Sequence, residues 1–201
     1  MMTSGRTAIF LSYRREDSIE TAGRIYSWLS MRLPEQAVFL DVRSIAPGVN
    51  YRAAMDAALD EAEVVLAIIG KAWRAAPQPD GTLRLRLEEP DDAVRQEIEL
   101  ALARQKRVIP LLTQGATMPR RDELPASIRA FADLNAQAVR PEPDFDDDMR
   151  TVRAAIMAQQ PKVAWQAAYV VPSIAPTLRY ALSHLFTNAF SGLRGRGKGQ
   201  R

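Results

Sequence analysis

The 201-residue sequence contains no cysteine and a single histidine, His184. Without thiols the chain builds no disulfide, no thiolate-held zinc site, no iron–sulfur cluster and no thiol nucleophile. One imidazole argues against a Ser-His-Asp hydrolase and against a histidine-rich metal centre, because both need imidazole beside other active groups. Carboxylates, hydroxyls and arginines are left to do any chemistry. Glycine and proline, at 10 and 13 residues, are too few for a collagen-like or low-complexity chain. The opening MMTSGRTAIFLSY offers only a short apolar run between Arg6 and the charged Arg14, Arg15, Glu16 and Asp17. That is too short for a signal sequence, so a cytoplasmic protein is the simplest expectation.

Acidic residues are missing from one region of the chain. The last of them is Asp148, whereas the stretch from Pro161 onward holds six lysines and arginines. With a net charge of +3 overall, residues 1–160 therefore carry −3. The high isoelectric point belongs to the tail, and the remainder lacks a basic stripe with interleaved aromatics, so no nucleic-acid partner is expected. With 47% apolar residues the chain has material for one core plus an appendage.

Apolar runs alternate with helical periodicity. Thr7 to Tyr13 reads as a strand, and Asp17 or Ser18 is placed to cap a helix carrying Ile19, Ala22, Tyr26, Leu29 and Leu33. Ala37 to Asp41 is a second strand, followed by a turn-rich loop, 43–48, and a helix that Asn50 can cap. Val64 to Ile69 is apolar at every position, as a central parallel strand covered on both faces requires. A long polar loop, 70–90, leads to a helix opening at Asp91 or Asp92 and reaching about Gln105. Val108 to Leu112 is a fourth strand, in which Pro110 predicts an edge-like or strand-start setting. Leu134 to Val139 is a weaker fifth strand, and Phe145 to Gln159 a closing helix.

Short strands alternating with helices imply right-handed crossovers, hence an α/β, flavodoxin-like, doubly wound sheet of five parallel strands. In that strand order a crevice opens outside the carboxyl ends of the strands at the switch point. The segments facing it are 12–17, the loop from Gly70 onward and the helix after that loop. Neither a dinucleotide-binding glycine fingerprint nor a phosphate-binding P-loop occurs at any strand-to-helix junction.

Several polar residues at this rim admit two readings. Arg14 and Arg15 suit phosphates through forked hydrogen bonds, and Tyr13 suits stacking on a ring; the same arginines equally suit pairing with Glu16 and Asp17 in a solvated loop. Asp41 ends its strand where it can brace a loop, and Gly48 supplies a positive φ to a turn. On the helix after the long loop, Val94, Ile98, Ala101 and Leu102 form an apolar face. Glu97 lies on its flank, while Glu99 points nearly the opposite way. A flank carboxylate near a crevice is either a functional acid or one half of a surface ion pair, and periodicity leaves both open.

From about Ala8 to Ile156 the sequence resembles the Toll/interleukin receptor (TIR) domains, in particular bacterial members. The resemblance rests on Ile9-Phe-Leu-Ser-Tyr-Arg-Arg15, on Val38-Phe-Leu-Asp-Val42 followed by Ile45-Ala-Pro-Gly48, and on Asp91-Asp-Ala-Val-Arg-Gln-Glu-Ile98 followed by Val108-Ile-Pro-Leu-Leu112. Residues 22–26 and 115–119 match further stretches common in bacterial members. The resemblance implies a TIR domain over 7–160. It also implies cleavage of the nicotinamide–ribose bond of NAD+, as substrate rather than cofactor, to ADP-ribose or a cyclic variant, with no metal required. Glu97 then matches the catalytic glutamate. Tyr13, Arg14 and Arg15 match positions lining the nucleotide, and Gly48 belongs to a loop that packs on a neighbouring subunit and helps close the site. Trp73 offers a stacking surface or a packing residue. Two positions depart from the pattern: Ala93 stands where many active members carry tryptophan, and the loop aromatic is displaced to Tyr51.

The extension 161–201 lies beyond the resemblance. Leu178, Ala181, Leu182, Leu185, Phe186, Ala189 and Phe190 form a helical apolar stripe ahead of a basic end. Prolines and charges interrupt any span, so the stripe is expected to dock on protein or on an anionic membrane surface. Two functions follow from the resemblance. One is a self-assembling NAD+-consuming immune effector, antiviral or toxin-like, with an activator protein or ligand. The other is a non-catalytic adaptor working through TIR–TIR contacts.

Overall fold

The computed structural model describes residues 8–33, 38–40 and 48–158. Asp41, the loop 43–47, both expected domain boundaries and the extension 161–201 with His184 lie outside the described residues. In chain order the elements are β1 (Ala8–Ser12), α1 (Arg15–Arg32), β2 (Val38–Leu40), α2 (Tyr51–Glu61) and β3 (Ala62–Ile69), then β4 (Ala75–Pro77), β5 (Leu83–Leu85) and α3 (Ala93–Ala103), and finally β6 (Arg107–Thr113), β7 (Gln137–Val139) and α4 (Phe145–Met157).

Five of the strands form one parallel sheet in the order β2-β1-β3-β6-β7, which is the flavodoxin-like order. Alternation along the strands sorts the core into two halves. Ile9, Leu11, Val64, Leu66 and Ile68 face α1 and α4, meeting Ile25, Leu29, Met149 and Val152. Phe10, Val65, Ala67 and Ile69 face the other way, toward Leu59 of α2, Val94 and Ile98 of α3, and Ile128 and Phe131 of the 3-10 segment Ala126–Asp133. Because β3 is covered on both faces, seven of its eight residues are buried, so its sequence shows no alternation.

Helix starts follow local capping chemistry. The Asn50 side chain accepts from the Ala53 amide, and Asp92 accepts from the Arg95 amide, each stabilising its helix by about 1 kcal/mol. Helix α1 starts earlier than expected, at Arg15, with Arg14 at its N-cap making no side-chain cap bond. Asp17 is not a cap. Its carboxylate instead accepts from the Ala72 amide (3.0 Å) and the Ser18 hydroxyl (3.2 Å), pinning the loop after β3 to the first turn of α1. That loop approaches so closely that a Cβ at Gly70 would lie 2.2 Å from Asp17 Oδ2.

Three further expectations are corrected. The stretch 70–90 is not all loop, because β4 and β5 pair as an antiparallel hairpin whose Arg84 is salt-bridged to Glu89 (2.6 Å). β6 is an interior strand despite Pro110. Its pairing with β7 begins only at Leu111, so the edge that Pro110 signals is local to one side of the strand. β7 is shorter than the apolar run that suggested it, since Leu134 closes the preceding 3-10 segment.

Asp148 is a buried acid near the amino end of α4, accepting from the Arg140 amide and from its guanidinium (2.8 and 2.9 Å). The side-chain bond from Arg140 holds its carboxyl below the ordinary value, against the opposing effect of burial. A lowered carboxylate stabilises the fold above its unfolded pKa, about 3.9, and that contribution vanishes as pH falls through the folded value. Asp148→Asn is therefore expected to lower Tm at pH 7, with the gap to the unsubstituted protein closing on acidification below about pH 4. Thermal melts followed by circular dichroism across pH 3–7 check this, and a pH-independent gap would contradict it.

Candidate active site

The loop after β1 turns Arg14 inward. Its guanidinium, 5% exposed, donates Nη1 and Nη2 to the two carboxylate oxygens of Asp92 (2.7 and 3.0 Å) and Nε to the Trp73 carbonyl. Each of the three guanidinium nitrogens thus donates inside the protein, to partners 59 and 78 residues away rather than to the adjacent Glu16 and Asp17. Neither the phosphate-binding reading of Arg14 nor local pairing describes this arrangement; Arg14 is a brace between β1, the loop after β3 and the start of α3. Arg15, the next residue, is exposed and opens α1. Tyr13 is half-buried against the core half shared by α1 and α4.

On α3 the two glutamates occupy different environments. Glu99 is not in open solvent. It is salt-bridged to Arg95 one turn earlier (2.7 Å) and accepts from the Ser127 hydroxyl, because the 3-10 segment Ala126–Asp133 packs over that side of the helix. Glu97 is half-buried, between the buried Val94 and Ile98 turns. Its Oε2 is shielded from water. A desolvated carboxylate oxygen interacts strongly with positive charge brought near it.

Trp73 is 1% exposed and stacked on Phe131, with ring centroids 5.3 Å apart. It belongs to the core on the α3 side, and its indole Nε1 finds no acceptor among the described residues. A cleft of about 280 Å3 opens at the carboxyl ends of β3 and β6, lined by Lys71, Trp73, Arg74, Met118 and Glu123 among others. Neither Glu97, Tyr13 nor Arg15 lines it. Gly48 has φ +84 and is exposed, as a turn glycine requires, and the adjacent Val49 is 52% exposed. No group of three or more His, Asp or Glu side chains is placed to hold a metal ion among the described residues.

The structure thus joins Arg14, Trp73 and the amino end of α3, the helix that carries Glu97, while Tyr13 belongs to the opposite core half and Gly48 is an exposed turn residue. Asp92 is the residue that sequence reasoning missed. Its capping role was legible, its long-range partner was not.

These features define an α/β protein of flavodoxin-like order whose loops at the carboxyl ends of β1 and β3 are cross-braced to α3. A family model described as TIR domain matches residues 9–152, and the chain belongs to that family. Among solved structures, the TIR domains of the activated Roq1 resistosome that directly recognises the pathogen effector XopQ superpose with a TM-score of 0.55 at 13% identity, over 75% of this chain and 99% of that one. The TIR domain of the Toll-related receptor TRR-2 from Hydra magnipapillata gives 0.50 at 12% identity, over 75% and 98%. At these identities the likeness is one of fold. No curated protein matches the chain in sequence.

Proposed function

We propose that this TIR domain cleaves the nicotinamide–ribose bond of NAD+, with Glu97 as the catalytic carboxylate, and does so in a self-assembled state as an immune effector. The observation that supports the reading is the place of Glu97: a half-buried carboxylate on the flank of α3, with a water-shielded oxygen, in the stretch Val94 to Ile98 whose resemblance to the family matches it to the catalytic glutamate. The C1′–N bond breaks with its electron pair leaving on the nicotinamide ring nitrogen, and the ribose takes on oxocarbenium character. A fixed carboxylate stabilises that developing charge and accepts from the ribose hydroxyls. Water then adds at C1′ and loses a proton, giving ADP-ribose. Attack by a nitrogen of the same molecule's adenine gives a cyclic product instead.

Arg15, exposed beside the rim, is suited to the diphosphate, and Tyr13 to a ring of the nucleotide. Gly48 and the outward Val49 offer the loop surface for a second copy of the chain, consistent with a site that neighbouring subunits help to close. An activator protein or ligand would act by promoting that assembly. The direct test is incubation of concentrated protein with NAD+, with products resolved by chromatography. Release of nicotinamide that rises faster than protein concentration is the expected result. Assembly without nicotinamide release at any concentration would replace this reading with that of a non-catalytic adaptor.

A further inference from the structure

The buried pair Arg14–Asp92 is unusual in what it connects. Arg14 lies between Tyr13 and Arg15, and Asp92 is the N-cap of α3, five residues before Glu97. Asp92 Oδ1 accepts at once from Arg14 Nη2 (3.0 Å) and from the Arg95 amide (2.8 Å), so the same oxygen starts the helix and anchors it to β1. The third bond, from Arg14 Nε to the Trp73 carbonyl, ties in the loop after β3. With side chains only 5% and 9% exposed, the pair has lost its hydration, and such pairs contribute little net stability compared with apolar residues of like volume. What they do supply is a fixed geometry, because a planar fork on a carboxylate admits one arrangement.

We infer that Arg14 and Asp92 are positioning residues: their clamp holds the amino end of α3, and with it Glu97, in register with Tyr13 after β1 and Arg15 at the start of α1. The inference rests on the proposed cleavage of NAD+ at Glu97. At 1.5 Å of rise per residue, Glu97 is about 7.5 Å along the helix from the clamp, so a small tilt at Asp92 carries directly to its carboxylate. Displacements of about 1 Å in such a constellation cost on the order of a hundredfold in rate.

The test uses the full chain with Asp92→Asn, which keeps an oxygen to cap Arg95 but loses the charge, and Arg14→Lys, which keeps the charge but loses the fork. Both are expected to lower kcat for nicotinamide release by about tenfold to a hundredfold, with KM within about threefold, in protein that circular dichroism shows to be folded at the assay temperature. Asp148→Asn breaks the ion pair of a buried carboxylate with the exposed Arg140 at α4 and is the control: Tm falls, while kcat per folded molecule stays level. Active unsubstituted protein with equally active Asp92→Asn and Arg14→Lys overturns the clamp and leaves Glu97 standing. Should the unsubstituted protein release no nicotinamide, the proposed activity fails, and hydrogen exchange decides the clamp alone. Amides of residues 95–97 then exchange about tenfold faster or more in Asp92→Asn if the clamp anchors α3, and unchanged rates overturn it.

Discussion

Glu97→Gln is expected to reduce nicotinamide release by a hundredfold to a thousandfold while leaving Tm and assembly in place. The magnitude follows from removing one fixed charge that acts on the oxocarbenium-like state, and effects of this kind reach about 3–4 kcal/mol in a water-excluded site. The amide has the size and acceptor oxygen of the acid, so ground-state contacts to ribose hydroxyls survive and KM changes little. The loss should fall on kcat. Glu99→Gln is the matched comparison. Glu99 already serves Arg95 and Ser127, so its substitution loosens a half-buried ion pair and leaves turnover unchanged. Single-turnover chromatography on both variants checks the pair. Full activity in Glu97→Gln would remove the catalytic reading.

Trp73→Ala is expected to destabilise the fold by about 3–5 kcal/mol, the range for emptying a buried aromatic site. At roughly 2–4 °C per kcal/mol for a domain of this size, that is a large drop in Tm. The cause is the cavity left against Phe131 and the rest of the α3-side core, where Trp73 is 1% exposed. Its carbonyl is also the acceptor for Arg14, so loss of the indole loosens the loop that the clamp grips. Trp73→Phe keeps a ring on Phe131 and separates packing from ligand contact. The packing role predicts a modest fall in Tm and an unaltered KM for NAD+. A stacking surface for the substrate would instead raise KM in Trp73→Phe while Tm stays level, and thermal melts beside steady-state kinetics distinguish the two.

Legibility differed between elements for physical reasons. β1, β3 and α3 were readable because their burial is written in local spacing: an apolar run, an uninterrupted apolar run, and a 3.6-residue stripe opened by an acidic cap. The β4–β5 hairpin was hidden because Leu83 and Leu85 are exposed, and without a buried face its strands carry no pattern. α1 was misplaced at its start because no side chain caps it, which left the nearby Asp17 and Ser18 as misleading signals. Pro110 suggested an edge-like or strand-start setting, yet it lies within an interior strand.

Read by itself, the amino-acid sequence settled the class of chemistry available, the parallel α/β architecture and, through motifs at 9–15 and 91–98, the TIR family. Those are properties of composition, periodicity and short-range order, and each is carried by residues close together in the chain. Only the tertiary structure decided what Arg14, Asp17, Trp73 and Glu99 do. Their partners are Asp92, Ala72, Phe131 and Ser127, brought from 28 to 78 residues away. Whether an arginine at a loop becomes a ligand for phosphate or a buried brace depends on which carboxylate the fold places within 3 Å of it, and no local pattern encodes that distance.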